Sequence, residues 1–178
     1  KPIQFNWGKC PLATASFGHG ITTTLLQLAK AYSIIVNGGY NIDPSLLKKN
    51  QYIKKTRILD EKVSEKILPI LRKIVSTNEG TASLANVEGY ELGGKTGTAQ
   101  KSINGVYSKK KINSFISVFP TNKPKFLLLV LIDEPKPAPD LIYNYRGKKI
   151  SGISRNESGW NSAYVAGKII KKIGPILA

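Results

Sequence analysis

Three extended runs joined by two turn signals fill residues 93–132, and this pattern constrains the fold more than any other feature of the chain. The first run, Gly93-Gly94-Lys95-Thr96-Gly97-Thr98-Ala99-Gln100, reads as a strand that ends near Lys101. Asn104-Gly105 follows, a strong signal for a tight hairpin turn. Ser114-Phe115-Ile116-Ser117-Val118-Phe119 is a second strand closed by Pro120, and residues 121–125 carry polar turn chemistry. The unbroken apolar run 126–132 reads as a buried central strand. Strands joined so closely pair antiparallel, so a three-strand meander is expected.

The first strand is unusual in its glycines. Glycine weakens a strand interior, and where it is kept, a ligand or another backbone often comes close. Alternation places Thr96 and Thr98 on one face and Lys95 and Gly97 on the other. Two hydroxyls thus stand beside an edge that no Cβ obstructs at Gly97. Such a surface suits an extended acyl-peptide and its carboxylate.

Helices flank the meander. Thr24 and Gln27 have capping-box spacing, and Leu25, Leu28, Ala29, Tyr32, Ile35 and Val36 form one apolar stripe that Asn37-Gly38-Gly39 ends. A second helix begins at Asp60 or Ser64, with Ile67, Ile70, Leu71, Ile74 and Val75 inward. Pro69 requires a kink there or a later start. Residues 1–20 read as loop, 40–59 as a turn with short extended pieces, and 81–89 as a connection with room for one helical turn. Residues 133–159 read as a long irregular loop anchored by Tyr143 and Tyr145. A last helix over 161–173 turns Tyr164, Val165, Ile169, Ile170 and Ile173 to the sheet, and Gly174-Pro175 ends it. Helices, then a meander, then a helix make an α+β fold.

The bulk properties narrow the function classes. A chain of 178 residues, 41% hydrophobic and 21% charged, suits one globular domain or part of one. It has no methionine and reads as a fragment or a processed product. No apolar run of about 18 residues is present to span a membrane. The lone Cys10 excludes an internal disulfide or a cysteine-cluster metal site, and neither a metal nor a cofactor is expected. Cys10 reads as a small buried hydrophobe and His19, the only histidine, as a structural residue in a glycine loop. The formal charge of +16 raises nucleic acid as a partner, yet only four of the 27 basic residues are arginine, the side chain that best forks onto phosphates and bases. The lysines are scattered except for Lys109-Lys110-Lys111, which reads as a solvated hairpin loop. No nucleic-acid partner is expected. A basic binding module for an anionic polymer or surface is the non-enzymatic alternative.

Several separated stretches then agree with one family. Lys95-Thr96-Gly97 is the K-T-G triplet of penicillin-binding proteins and serine β-lactamases. Ser16-Phe17-Gly18-His19-Gly20, Thr24, Leu26-Gln27-Leu28-Ala29-Lys30-Ala31-Tyr32 and Asn37-Gly38-Gly39 resemble S-F-G-x-G, T-P-L-Q-L-A-x-A-Y and N-G-G of class B penicillin-binding proteins. Gly80-Thr81-Ala82, the run 93–100 and Asp133-Glu134-Pro135 resemble G-T-A, G-G-K-T-G-T-A-Q and D-x-P of the same family, nearest its division-type (septal) members. Leu25 departs from the family's proline, and the length of 133–159 is a second departure.

The resemblance implies a peptidoglycan D,D-transpeptidase of the penicillin-binding protein/serine β-lactamase-like fold. Residues 1–178 would form the C-terminal part of its domain. The family's nucleophile motifs S-x-x-K and S-x-N lie ahead of S-F-G-x-G, so here they would precede Lys1, and the fragment alone would be inactive. By resemblance, Lys95 is catalytic and attracts the substrate carboxylate. The Thr96 and Thr98 hydroxyls bind that carboxylate, Gly97 leaves room for the substrate, and the Thr98 backbone N–H is half of an oxyanion hole. Peptidoglycan stem peptides, β-lactam antibiotics and divisome membrane proteins are the implied partners. The implied place is the periplasmic side of a bacterial inner membrane, with the anchor upstream. Ser45-Leu46-Leu47-Lys48 and Ser76-Thr77-Asn78 imitate the missing motifs. Ser45 follows Pro44 with no capped helix after it, and Ser76 sits at a helix end, so neither fits the chemistry. Ser102-Ile103-Asn104 and Ser108-Lys109-Lys110-Lys111 read as loop coincidences.

Overall fold

The computed structural model describes residues 11–16, 18, 21–47, 56–104, 106–153 and 155–177. Cys10, His19, Phe17, Lys48 and Gly105 lie outside them. A short helix α1 (Pro11–Ser16) occupies part of the stretch expected to be loop. Helix α2 (Leu25–Val36) begins at Thr24, whose side chain accepts from the Gln27 N–H while Gln27 reaches back to the Thr24 N–H, the full capping box. Leu25, expected inside, is exposed, and Ile34 is buried instead. The short strands β1 (Tyr40–Asn41) and β2 (Thr56–Arg57) pair antiparallel.

Helix α3 (Glu61–Ser76) starts at the Asp60 cap, earlier than a start that would put Pro69 in the first turn, and continues past Pro69 to Ser76. Pro69 and Ile70 face solvent, against the expectation for Ile70. The carbonyl four residues before the proline, that of exposed Glu65, can therefore be satisfied by water, which lowers the cost of the missing N–H. One 3-10 turn (Ser83–Ala85) follows.

The meander is β3 (Gly93–Ile103), β4 (Val106–Phe119) and β5 (Phe126–Asp133), in the order β3-β4-β5. The central strand is therefore β4, not the apolar run of β5. Helices α2 and α4 (Ser162–Leu177) both pack on β5, so an edge strand can be apolar on both sides. On β4, Phe115 and Phe119 pack with Ala163, Ala166 and Ile170 of α4, whereas Val118 packs with Val36 and Leu71 of α2 and α3. The sheet is thus covered on both faces. Both long strands outrun their expected ends, so Ser102, Ile103 and Ser108–Lys111 are strand rather than loop. Lys110 and Lys111 are not a solvated turn: they pair with Glu134 and Glu157.

Two expectations fail near the C-terminus. The long loop contains a hairpin, β6 (Ala138–Tyr145) and β7 (Lys148–Gly152). Its turn residues Arg146 and Gly147 both have positive φ, 53° and 72°, the conformation of a type I′ hairpin with Arg-Gly in place of the usual Asn-Gly. Tyr143 and Tyr145 do anchor it, with ring centroids 5.3 and 4.7 Å from Trp160. Helix α4 passes through Gly174-Pro175. A Cβ on Gly174 would lie 2.2 Å from the Tyr90 ring, so this glycine admits a neighbour instead of ending the helix. Small Ala163, Ala166 and Gly167 line its buried face more deeply than the expected Val165 and Ile169.

Candidate active-site wall on strand β3

Among the described residues strand β3 pairs with β4 alone, which leaves its other edge open. Register fixes the faces. Thr96 and Thr98 lie across from Phe115 and Asn113, and Lys95 and Gly97 across from Ile116 and Ser114. The α4 face therefore holds both threonines, and helix α3 meets the opposite face, where a Cβ on Gly93 would stand 2.9 Å from the Arg72 backbone.

Each threonine hydroxyl has a partner. Thr96 Oγ1 is 3.1 Å from Thr81 Oγ1. Thr98 Oγ1 accepts from the Ser158 N–H at 3.1 Å and lies 2.7 Å from Ser158 Oγ. Lys95 is exposed, and its Nζ donates to the Thr96 carbonyl at 2.8 Å. Ser114 Oγ donates to the Gly97 carbonyl at 3.3 Å. Because Ser114 lies on β4, that carbonyl points toward β4. A trans peptide sets C=O and N–H opposite each other, so the Thr98 N–H faces the open edge of β3.

The segment covering the threonine face is tied down by polar bonds. Asn113, fully buried, donates through Nδ2 to the Asn156 carbonyl at 3.0 Å and to Asn161 Oδ1 at 3.1 Å. Lys111 reaches Glu157 at 3.0 Å. Burial pushes the Glu157 carboxyl up, but the bond and charge of Lys111, with backbone N–H groups, carry it below its ordinary value. Lys101 and Lys110 likewise hold Glu134 down.

Lys95, Thr96, Gly97 and Thr98, the residues that the sequence singles out, all stand along this edge. Thr81 is marked in the sequence only by the Gly80-Thr81-Ala82 resemblance, and Ser114 and Ser158 are not marked as site residues at all. For Ser114 the register of the hairpin was the available signal, whereas Ser158 lies 60 positions from Thr98 in a segment with no periodicity. Ser45 bonds to the Leu47 backbone within its own turn, with no helix at Leu46 and Leu47, and Ser76 is the last residue of α3, so neither serine opens a helix as the nucleophile motif requires. A groove of about 730 Å³ reaches Ser114 but contains none of Lys95, Thr96, Gly97 or Thr98. The candidate residues form an open wall. Among the described residues, no group of His, Cys, Asp and Glu could hold a metal ion, and no helix is long and apolar enough to cross a membrane.

The penicillin binding protein transpeptidase domain family matches residues 3–156. The probable peptidoglycan D,D-transpeptidase FtsI of Caulobacter vibrioides is 32% identical over 96% of this chain and 29% of its own length. The probable peptidoglycan D,D-transpeptidase PenA of Neisseria flavescens is 35% identical over 72% of this chain and 32% of its own. The chain thus spans under a third of these two curated relatives. The apo transpeptidase domain of Burkholderia pseudomallei penicillin-binding protein 3 superposes with a TM-score of 0.70 at 30% identity, covering 94% of this chain and 48% of that one. Penicillin-binding protein 3 of Mycobacterium tuberculosis, solved with ampicillin, shares the fold with a TM-score of 0.73 at 21% identity, covering 95% of this chain and 39% of that one. With the K-T-G strand at the open edge of a sheet covered on both faces, and with a family match over most of its length, the chain belongs to the penicillin-binding protein transpeptidase domain family.

Proposed function

We propose that the protein containing this chain is a serine-type peptidoglycan D,D-transpeptidase, and that residues 1–178 are the C-terminal part of its catalytic domain. The observation that carries this reading is the Gly97–Thr98 peptide. Its carbonyl is held by Ser114 and its N–H is turned to the open edge, where among the described residues no strand competes for it. An N–H fixed in this way is ready to receive negative charge as it develops on an attacked carbonyl oxygen, and losing one such donor typically slows acyl transfer by about 10²–10³.

In this reading a serine on a segment ahead of Lys1 attacks the D-Ala-D-Ala amide of a stem peptide. The terminal D-Ala leaves with the proton its amine requires, and an ester to the serine remains. The amine of a neighbouring stem then attacks that ester, forms the cross-link and returns the serine. The Thr98 N–H stabilises the oxyanion of both tetrahedral intermediates. The Thr96 and Thr98 hydroxyls bind the substrate's terminal carboxylate, Lys95 attracts it, and the absence of a Cβ at Gly97 keeps the edge free. β-Lactams, whose amide resembles the scissile one, would acylate the same serine. The names of the relatives support peptidoglycan as the substrate; a place in septal wall synthesis, on the outer side of the inner membrane and among divisome proteins, is the part of this reading that rests on the sequence resemblance alone.

Fluorescent penicillin tests the assignment. The full-length protein should be labelled on a serine ahead of Lys1, and residues 1–178 alone should not be labelled. Label on Ser45 in the isolated chain would overturn both the domain assignment and the rejection of that motif.

A further inference from the structure

Ser158 is wholly buried, far from the K-T-G stretch in sequence, and has three contacts with it. Its N–H donates to Thr98 Oγ1, its Oγ donates to the Gly97 carbonyl, and its Oγ also lies 2.7 Å from Thr98 Oγ1. Counting hydrogens resolves the ambiguous contact. A serine hydroxyl has one proton, and a carbonyl has none to give. The Ser158 proton is therefore used on Gly97, and Thr98 must be the donor to Ser158. The Thr98 hydroxyl is then fixed twice, accepting from the Ser158 N–H and donating to its Oγ. The same serine holds the carbonyl of the peptide whose N–H faces the open edge.

We propose that Ser158 is a positioning residue for Thr98, orienting both its backbone N–H and its side-chain hydroxyl. This inference rests on the transpeptidase reading above. Two effects follow from it. A hydrogen bond on the Gly97 carbonyl polarises its peptide unit and makes the Thr98 N–H a better donor. On arrival of a carboxylate, the Thr98 proton can swing from Ser158 Oγ to the anion, while the Ser158 N–H and the bond to Gly97 stay in place. The neutral bond given up is replaced by a charge-assisted one, roughly twice as strong. Ser158 is itself well anchored. Its carbonyl accepts from Ser162 Oγ at 3.1 Å and from the Ala163 N–H at 2.9 Å, and Asn113 holds the residues on either side.

The test uses the full-length protein, with Ser158→Ala and Ser158→Cys followed by a chromogenic β-lactam. The non-covalent dissociation constant and the first-order acylation constant are measured separately, along with the melting temperature. The alanine variant should acylate about tenfold more slowly, less than the loss expected when a donor is removed outright. Its non-covalent binding should weaken by a smaller factor. The cysteine variant, with a weak S–H donor, should fall between it and the wild type. If the alanine variant does not fold, the cysteine variant carries the same comparison. Unchanged constants in the variants, or a lower reactive fraction with unchanged constants, would overturn the positioning role while leaving the transpeptidase reading intact. A wild-type protein that takes no β-lactam would overturn that reading and this inference with it.

Discussion

Gly93 and Gly97 belong to one strand, and a methyl group added at each meets very different neighbours. At Gly93 the new Cβ would stand 2.5 Å from Thr121 Cγ2, 2.9 Å from the Arg72 nitrogen and 3.0 Å from the Leu71 carbonyl carbon. Two of these atoms are helix backbone, so α3 itself has to move. Gly93→Ala should cost about 2 kcal/mol in urea unfolding, within the usual range for overpacking. At Gly97 the one close atom among the described residues is Ser114 Oγ, 2.7 Å away, which can rotate aside. Gly97→Ala forfeits one weak hydrogen bond and should cost under about 1 kcal/mol. A Gly97→Ala melting shift as large as that of Gly93→Ala would refute this contrast. Glu157, beside Ser158, adds a pH dependence. Its carboxyl is lowered in the folded chain, so its pairing with Lys111 stabilises above the ordinary glutamate range near 4.3 and is lost as pH falls through the lowered value. The side chain is 53% exposed, so the contribution is at most about 1 kcal/mol. The stability gap between wild type and Glu157→Gln should be constant from about pH 5.5 to 8 and close below about pH 4. The K-T-G residues were legible from glycine content and alternation, because both are local properties. Ser158 was not, because nothing local distinguishes it from any other loop serine.

At the scale of elements, the β6–β7 hairpin shows what the sequence concealed. Arg146-Gly147 makes the turn, and arginine gives no turn signal of its own. The strands meanwhile carry Pro139, Asp140 and Asn144, residues that strands usually avoid. What holds the hairpin is distant: Tyr143 packs edge-on against Trp160 and Tyr164. The meander was legible because Asn104-Gly105, Pro120 and two apolar runs agree with one another. Its central strand was misassigned because an edge strand covered by two helices has the same apolar run as a central one. Gly147 has φ 72° and open space where a Cβ would be. Gly147→Ala should therefore cost only the backbone penalty, about 1 kcal/mol by thermal melting, and leave β-lactam acylation unchanged. Asn113 joins the meander to the segment before α4. Asn113→Ala removes both of its donated bonds and leaves the Asn156 carbonyl and Asn161 Oδ1 without them. It should destabilise by about 2 kcal/mol. If Ser158 needs that anchor, Asn113→Ala also slows acylation, an effect absent from Gly147→Ala.

For the whole molecule the dominant number is the formal charge of +16. Six of the eleven carboxylates, those of Asp43, Glu61, Glu91, Asp133, Glu134 and Glu157, lie in ion pairs among the described residues. Salt acts on this arrangement in two opposing ways. It weakens the pairs, which are exposed enough to contribute about 0–1 kcal/mol each. It also screens the repulsion among the excess lysines, which acts over longer distances and is cut most sharply as the Debye length falls from about 30 Å at 0.01 M to about 8 Å at 0.15 M. With 27 cations against eleven acids, the repulsive sum has many more members than the attractive one. The melting temperature should therefore rise by a few degrees between about 10 and 150 mM sodium chloride, then level off as the remaining interactions become short-ranged. A fall over that interval would mean that the six paired carboxylates outweigh the surplus charge. A basic binding module makes a further demand that screening alone does not: affinity for duplex that declines steeply, linearly in log–log form, as salt is raised. Scattered lysines that merely repel one another should stabilise the fold as salt rises without showing that affinity.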